Sequence, residues 1–238
     1  MPLMSVAQER AWRALFELSA RLGRSWCLVG GQMVHLYCAE RGFTPNRPTE
    51  DADTVLDVRA RPDILDGFTR ALIEMGWTSA GESLEGHQHC WINDRSQIDV
   101  LIPTNVGHTA AGRRGATGGT TLETRGGQQA LDRAELVTVE VANEVGQVPR
   151  PNMAGALVIK AAAWTNLQDR YRDRHLTDFA LLAAMVQRSD ALATAFRPRD
   201  VKYLRPTLAG LAARPEVVAS IAGSDRGLDV LVRIVNGR

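Results

Sequence analysis

The chain is 238 residues long, 45% hydrophobic and 23% charged, proportions ordinary for a globular protein. They exclude a disordered tail, a collagen-like chain and a coiled-coil rod. Lys and Arg number 28 against 27 Asp and Glu, a net charge of +1, so bulk charge does not mark a nucleic-acid binder and only local basic patches remain to be considered.

In chain order, Met4 to Leu22 carries Ala7, Trp12, Leu15, Phe16 and Leu18 near helical spacing and predicts an amphipathic helix. The short apolar run Ser25 to Val29, stopped by Gly30-Gly31, predicts a buried strand, and Gln32 to Arg41 a helix ended by Gly42. After the loop Phe43 to Pro48, Asp53 to Val58 is β-rich, and a helix runs from about Pro62 to Met75 with Gly76 as its stop. His87 to Asn93 and Gln97 to Ile102 read as two strands joined by a turn at 93–96. Gly107 to Gln129 reads as one long Gly/Thr/Arg-rich loop, a length that marks functional or mobile segments. Leu136 to Val141 and Val145 to Val148 predict a hairpin across Asn143-Glu144. Four helices follow, Met153 to Leu167, Asp173 to Gln187, Arg199 to Ala213 and Asp225 to Val235. The chain therefore divides into an α/β domain over 1–150 and a helical domain over 151–238.

The N-terminal stretch has Glu9 and Glu17 and no apolar run, unlike a secretory signal. No stretch approaches the roughly 18 apolar residues of a membrane helix. Cys27, Cys38 and Cys90 are odd in number and lack metal-ligand spacing, which suits free thiols in a reducing compartment. A cytoplasmic protein is the expectation.

The chemistry gathers in four pieces: Gly30-Gly31 after a strand, Arg47-x-Thr49-x-Asp51-x-Asp53, Asp99 within the apolar run 98–101, and Lys160 with Asp178 on the later helices. In an extended segment, residues two apart share a face, so Asp51 and Asp53 project side by side. Crowded carboxylates repel and raise one another's pKa unless a cation lies between them. Hard cations such as Mg²⁺ take such oxygen ligands together with substrate phosphates. If the Asp99 strand lies beside that of Asp51 and Asp53, the three acids form one metal-binding edge. Two metals there could activate a hydroxyl nucleophile and stabilise a pyrophosphate leaving group. Gly30-Gly31, without side chains, would let phosphates approach backbone amides at the start of a helix.

Each piece alone has a plainer reading: a tight turn at Gly-Gly, a solvated strand edge at Asp-x-Asp, a salt-bridged Asp99, and exposed helix positions for Lys160 and Asp178. Those readings do not predict the order strand, Gly-Gly, helix, Asp-x-Asp strand, Asp strand. His87-x-His89-Cys90 invites zinc, but no second ligand cluster lies nearby, and a substrate-facing or capped strand is favoured. Trp26, Trp77 and Trp91 read as core. Arg113, Arg114 and Arg125 either hold a phosphate-rich acceptor or sit in a solvated loop, and Arg170, Arg172, Arg174 and His175 either clamp phosphates or cover a helix face. No P-loop, GxGxxG fingerprint or Ser-His-Asp order is present.

The segment from Leu28 to Gly31, with Arg47 to Asp53, resembles the nucleotidyltransferase superfamily of DNA polymerase β-like fold. The Arg-x-Thr-x-Asp-x-Asp form, with a later lysine and aspartate, is most similar to its AbiEii-like toxin branch, although that branch often has Lys-Asp where this chain has Arg174-His175. The resemblance implies an α/β (α+β) nucleotidyltransferase fold, a mixed sheet with flanking helices followed by a helical C-terminal domain. It implies NTP as substrate with Mg²⁺ or Mn²⁺, Asp51 and Asp53 as metal ligands, and Asp99 as a third ligand or as the base that activates the acceptor. Gly30, Gly31, Arg47, Thr49 and Lys160 would bind the nucleotide, and Lys160 and Asp178 would belong to the catalytic set. The acceptor would be tRNA or a small molecule, and an antitoxin protein would be the partner of a toxin. A nucleotide-binding or partner-binding module without turnover is the rival reading.

Overall fold

The computed structural model describes residues 4–237. Helix α1 (Val6–Leu22) opens on a capping box, in which Ser5 Oγ accepts from the Gln8 amide and Gln8 Oε1 accepts from the Ser5 amide. Its apolar stripe buries Trp12, Leu15, Phe16 and Leu18. Strand β1 (Trp26–Val29) is buried throughout and passes directly into α2 (Gly30–Arg41), so Gly30-Gly31 form the first turn of the helix and not a separate turn before it. Strand β2 (Asp51–Leu56) begins two residues earlier than expected and contains the whole Asp-x-Asp.

Helix α3 (Ile64–Glu74) covers one face of the sheet and is followed by the short β3 (Thr78–Ser79). Of the predicted strand 87–93, only β4 (Cys90–Asn93) pairs continuously, and His87 makes an isolated bridge to Thr120. β5 (Ser96–Pro103) is the centre of the sheet, whose order is β1-β2-β5-β4-β3. β2 runs parallel to β5, and β1, β4 and β3 run antiparallel to their neighbours. The sheet is mixed, as expected.

The long loop expected over 107–129 is instead structured. It holds α4 (His108–Ala111), β6 (Leu122–Thr124), and the start of α5 (Gly127–Leu131). β6 joins the sheet parallel to β5, pairing Leu101 with Leu122 and Pro103 with Thr124, beyond the end of β4. Three-residue strands held by tertiary pairing leave little periodicity in the sequence, which explains the misreading. Strands β7 (Ala134–Val141) and β8 (Glu144–Pro151) form a separate hairpin. Its turn is Ala142-Asn143, both at positive φ, one residue earlier than Asn143-Glu144; two such residues give the strand twist a two-residue hairpin requires.

The C-terminal helices are α6 (Met153–Trp164), α7 (Asp173–Ala184), α8 (Leu192–Ala195), α9 (Val201–Ala212), α10 (Pro215–Ala219) and α11 (Ser224–Val235). Helix α6 is apolar on nearly all sides and accordingly buried from Met153 to Ala162, with Asn152 capping its N-terminus. One hydrophobic core runs from α1 through the sheet into α6, α7 and α11. A buried ion pair, Arg133 to Asp200 at 2.5 Å, ties the base of the hairpin to the segment before α9. Trp26, Trp77 and Trp91 lie in this core. Among the described residues, no helix is long and apolar enough to cross a membrane.

Candidate active site

Along β2 and β5 burial alternates. Ala52, Thr54, Ile98, Val100 and Ile102 face the core, whereas Asp51, Asp53, Gln97, Asp99 and Leu101 are half-buried on the other face. The parallel register sets Asp53 directly beside Asp99. Carboxylate oxygens of Asp51, Asp53 and Asp99 consequently lie within 4.8 Å of one another, the one such group of potential metal ligands among the described residues. Burial, and then the charges of Asp51 and Asp99, push the Asp53 carboxyl up to about 7. Burial also raises the Asp99 carboxyl, although Gln97, donating to it at 3.0 Å, and nearby His89 act the other way.

Gly30 and Gly31 pack against this strand. Gly30 sits at φ +66°, and a Cβ there would lie 1.7 Å from Asp53 Oδ2. A Cβ on Gly31 would lie 2.5 Å from Thr49 Oγ1. The glycine pair is thus the condition for α2 to begin against the acids, with its first-turn amides free of intrahelical partners. Thr49 is buried, and its hydroxyl donates to Asp51 Oδ1 at 2.7 Å. Its carbonyl accepts from Gln8 Nε2 at 2.7 Å and from Gln32 Nε2 at 3.0 Å, and Gln32 is itself held by Trp12. Sequence reading missed these two glutamines, because nothing in their spacing ties α1 and α2 to residue 49.

Lys160 and Asp178 do not lie on exposed helix faces. Lys160 Nζ donates to Asp178 Oδ2 at 2.7 Å, with both side chains almost wholly buried between α6 and α7. Arg47 forks onto the same carboxylate, Nε to Oδ1 at 3.2 Å and Nη2 to Oδ2 at 2.8 Å. Burial alone would raise the Asp178 carboxyl, but Lys160 and Arg47 outweigh it and hold the group below the usual carboxylate range. Arg47 is also fixed by its carbonyl, 2.9 Å from His35 Nε2.

These groups frame a cleft of about 380 Å³ between the sheet and α6. Gly30, Gly31, Arg47, Thr49, Asp51, Asp53 and Lys160 line it. Asp99 completes the acidic group from beside the cleft, and Asp178 lies behind the two cations. Arg174 and His175 also reach the cleft, together with Asp169, which accepts from His175 Nε2 at 3.1 Å. Burial, with Lys160 and Arg174 nearby, pushes the His175 imidazole down to about 4. Arg125 lines the far wall, whereas Arg113 and Arg114 lie elsewhere, Arg114 donating to Gly118. Thr104, Glu123 and Thr124 line the cleft too, brought there by β6. Of the His87-x-His89-Cys90 run, His87 pairs with Thr120, whereas His89 and Cys90 lie beside Asp99.

The donor set fits a divalent metal. Three carboxylates supply only oxygen ligands, as hard cations prefer, and a bound cation would offset the burial and the repulsion at Asp53, which Lys160 and Arg174 relieve only in part.

The combination defines a class: a mixed sheet with flanking helices and a helical C-terminal part, the nucleotidyltransferase fold. The chain is similar to the crystal structure of an antigenic nucleotidyltransferase-like protein from Paracoccidioides brasiliensis, with a TM-score of 0.52 and 16% identity over 95% of this chain and 94% of that one. No family model and no curated protein sequence matches the chain.

Proposed function

We propose that this protein is a divalent-metal-dependent nucleotidyltransferase, moving the nucleoside monophosphate of an NTP to an acceptor and releasing pyrophosphate. The observation that carries the reading is the meeting of Asp51, Asp53 and Asp99 on the open face of β2 and β5, directly against the Gly30-Gly31 start of α2. The α/β part (1–150) holds the nucleotide, and the helical part (151–238) closes the cleft and selects the acceptor.

Asp51 and Asp53 would hold Mg²⁺ or Mn²⁺, with Asp99 beside them. The metal would supply charge neutralisation at the phosphates and a lowered pKa for a bound hydroxyl. The amides of Gly30 and Gly31 receive phosphate oxygens at the positive end of α2. Lys160 and Arg47 bring two cations to the charge that develops in in-line displacement, and Asp178 orients both. Thr49 occupies one lone pair of Asp51 and fixes its rotamer. Asp99, with its carboxyl raised, is the group to take the proton of the attacking hydroxyl.

A polynucleotide acceptor suits the rim. Between α6 and α7, Leu167 and Tyr171 are 79% and 74% exposed beside Arg170, and Arg172 lies over the Trp164 ring at 5.4 Å. An exposed aromatic among arginines is a platform for an unpaired nucleic-acid end. We therefore take tRNA as the acceptor and an AbiEii-like toxin, paired in the cytoplasm with an antitoxin, as the biological role.

Incubation with each α-labelled NTP, Mg²⁺ and total bacterial RNA, resolved on a denaturing gel, tests this. Label should appear in the tRNA band and vanish with Asp51→Asn. Label on a small molecule instead would make this an antibiotic-modifying type of enzyme. No label on any acceptor, with NTP bound, would replace turnover by a binding role.

A further inference from the structure

Among the described residues, His175 is the one histidine that lines the cleft. It stands three residues before Asp178 on α7, so the two share a face of that helix, where Asp178 holds the Lys160 ammonium. Asp169, in the turn between α6 and α7, holds the ring: its Oδ2 lies 3.1 Å from His175 Nε2. Asp169 is itself fixed by the Tyr171 amide, which donates to Oδ1 at 2.8 Å. Arg174 reaches the same carboxylate more loosely, at 3.8 Å. The charged groups facing the imidazole are therefore Lys160 from α6, Arg174 and Asp178 from α7, and Asp169 from the turn.

Two features keep this ring neutral in the nucleotide-free protein. An ionised carboxylate only accepts, so the hydrogen sits on Nε2 and a second proton would go to Nδ1. Nδ1 is buried and has no hydrogen-bond partner among the described residues, so a proton there would be an unpaired buried donor. Burial, and after it Lys160 and Arg174, hold the imidazole down to about 4. Both of those cations line the cleft, where a triphosphate would meet them. Once its charge offsets theirs, Asp169 and Asp178 are the fixed charges left acting on the ring, and both favour the imidazolium.

We propose that His175 is the charge-adjusting residue of the nucleotide site, neutral in the nucleotide-free protein and taking up a proton on Nδ1 as a triphosphate settles against Lys160 and Arg174. The inference rests on the nucleotidyltransferase reading and deepens it by naming a residue that responds to the charge of the substrate. The proton comes from solvent, and no bond of the nucleotide changes. Uptake makes the contact with Asp169 charge-assisted, and it adds a cation to the cleft only when phosphates are present. By linkage, a nucleotide that draws a proton onto the protein binds more tightly as pH falls. Asp53, which must lose its proton to hold a metal, gives the opposite dependence, and it is the same in the wild type and in a His175 variant.

The test is carbon NMR of the full chain labelled at its histidine rings, titrated downward from pH 7 with and without a saturating NTP, with Mg²⁺ present and no acceptor added. The His175 signal, assigned by its loss in His175→Gln, should titrate at about 4 in the protein alone and above about 5 with nucleotide. Gln can still donate to Asp169, and an unchanged Tm at pH 7 will show that the variant folds. In calorimetry, the wild type should gain roughly threefold or more in NTP affinity over His175→Gln between pH 7 and pH 5. Should the variant not fold, the signal is assigned through its bonds to the backbone in the wild type, and the titration decides alone. If NTP binds and His175 still titrates at about 4, or if both proteins show the same pH dependence of affinity, the proposal is refuted and nucleotidyl transfer stands. If no NTP binds the wild type, both fall.

Discussion

At the mouth of the cleft, Asp51, Asp53 and Asp99 bring three carboxylates within 4.8 Å with no ion-pair partner among the described residues, whereas behind it a single carboxylate, Asp178, is shared by two cations. The first arrangement pushes Asp53 up to about 7, and the second holds Asp178 down. A folded chain that pairs one acid so thoroughly has the means to neutralise the others, through Arg47 or Arg174 on the same cleft. It leaves them crowded on a strand edge, at a cost to its own stability. Under the proposed function, the paired cluster aims Lys160 and Arg47, and the unpaired one seats a charge that comes from outside.

The contrast can be broken by mutation. The largest effect is expected at Asp178→Ala, which leaves Lys160 buried without a partner and should lower stability by about 3–5 kcal/mol in denaturant unfolding. A compensating double variant, Asp178→Leu with Lys160→Met, should recover much of that loss while remaining inactive. Failure to recover would mean that Asp178 stabilises the fold by some route other than this pair.

The next effect has the opposite sign. Asp53 keeps its proton in the folded state up to about pH 7, but in the unfolded chain releases it near the ordinary carboxylate value. Stability of the metal-free protein therefore falls as pH rises through that window, because the folded state binds the extra proton. Asp53→Asn should remove the fall and gain about 1–3 kcal/mol at pH 8 relative to wild type. Urea unfolding at pH 5 and pH 8 checks it; an equal loss in both proteins would place the strain elsewhere.

The two clusters were also unequally legible in the sequence. Asp51 and Asp53 stand out because strand alternation is a short-range rule, whereas the sequence left the pairing of the Asp99 strand beside them as a condition, which the register of β2 with β5 meets. The strands and the C-terminal helices were readable from runs of apolar residues bounded by Gly and Pro, whereas the mixed sheet was implied by the family resemblance and not by those runs. Lys160 and Asp178 were visible as residues, but their 2.7 Å contact depends on how α6 crosses α7, which periodicity does not encode. The Gly-Gly pair read as a turn or a phosphate loop. Only the folded structure shows that Asp53 and Thr49 would occupy the space of its missing side chains. Least legible was the 107–129 region, where β6 exists through its pairing with β5 and brings Glu123 to the cleft from a stretch that looks like loop.

The central claim is that the open acids hold a divalent cation together with the triphosphate. It is tested most directly by anomalous scattering from crystals grown with Mn²⁺ and a non-hydrolysable NTP analogue. The account predicts a manganese peak at the Asp51, Asp53 and Asp99 carboxylates, with the phosphates on the Gly30-Gly31 and Lys160 side of the cleft. Nucleotide bound with no manganese at these carboxylates, or manganese and nucleotide at some other site, would contradict it.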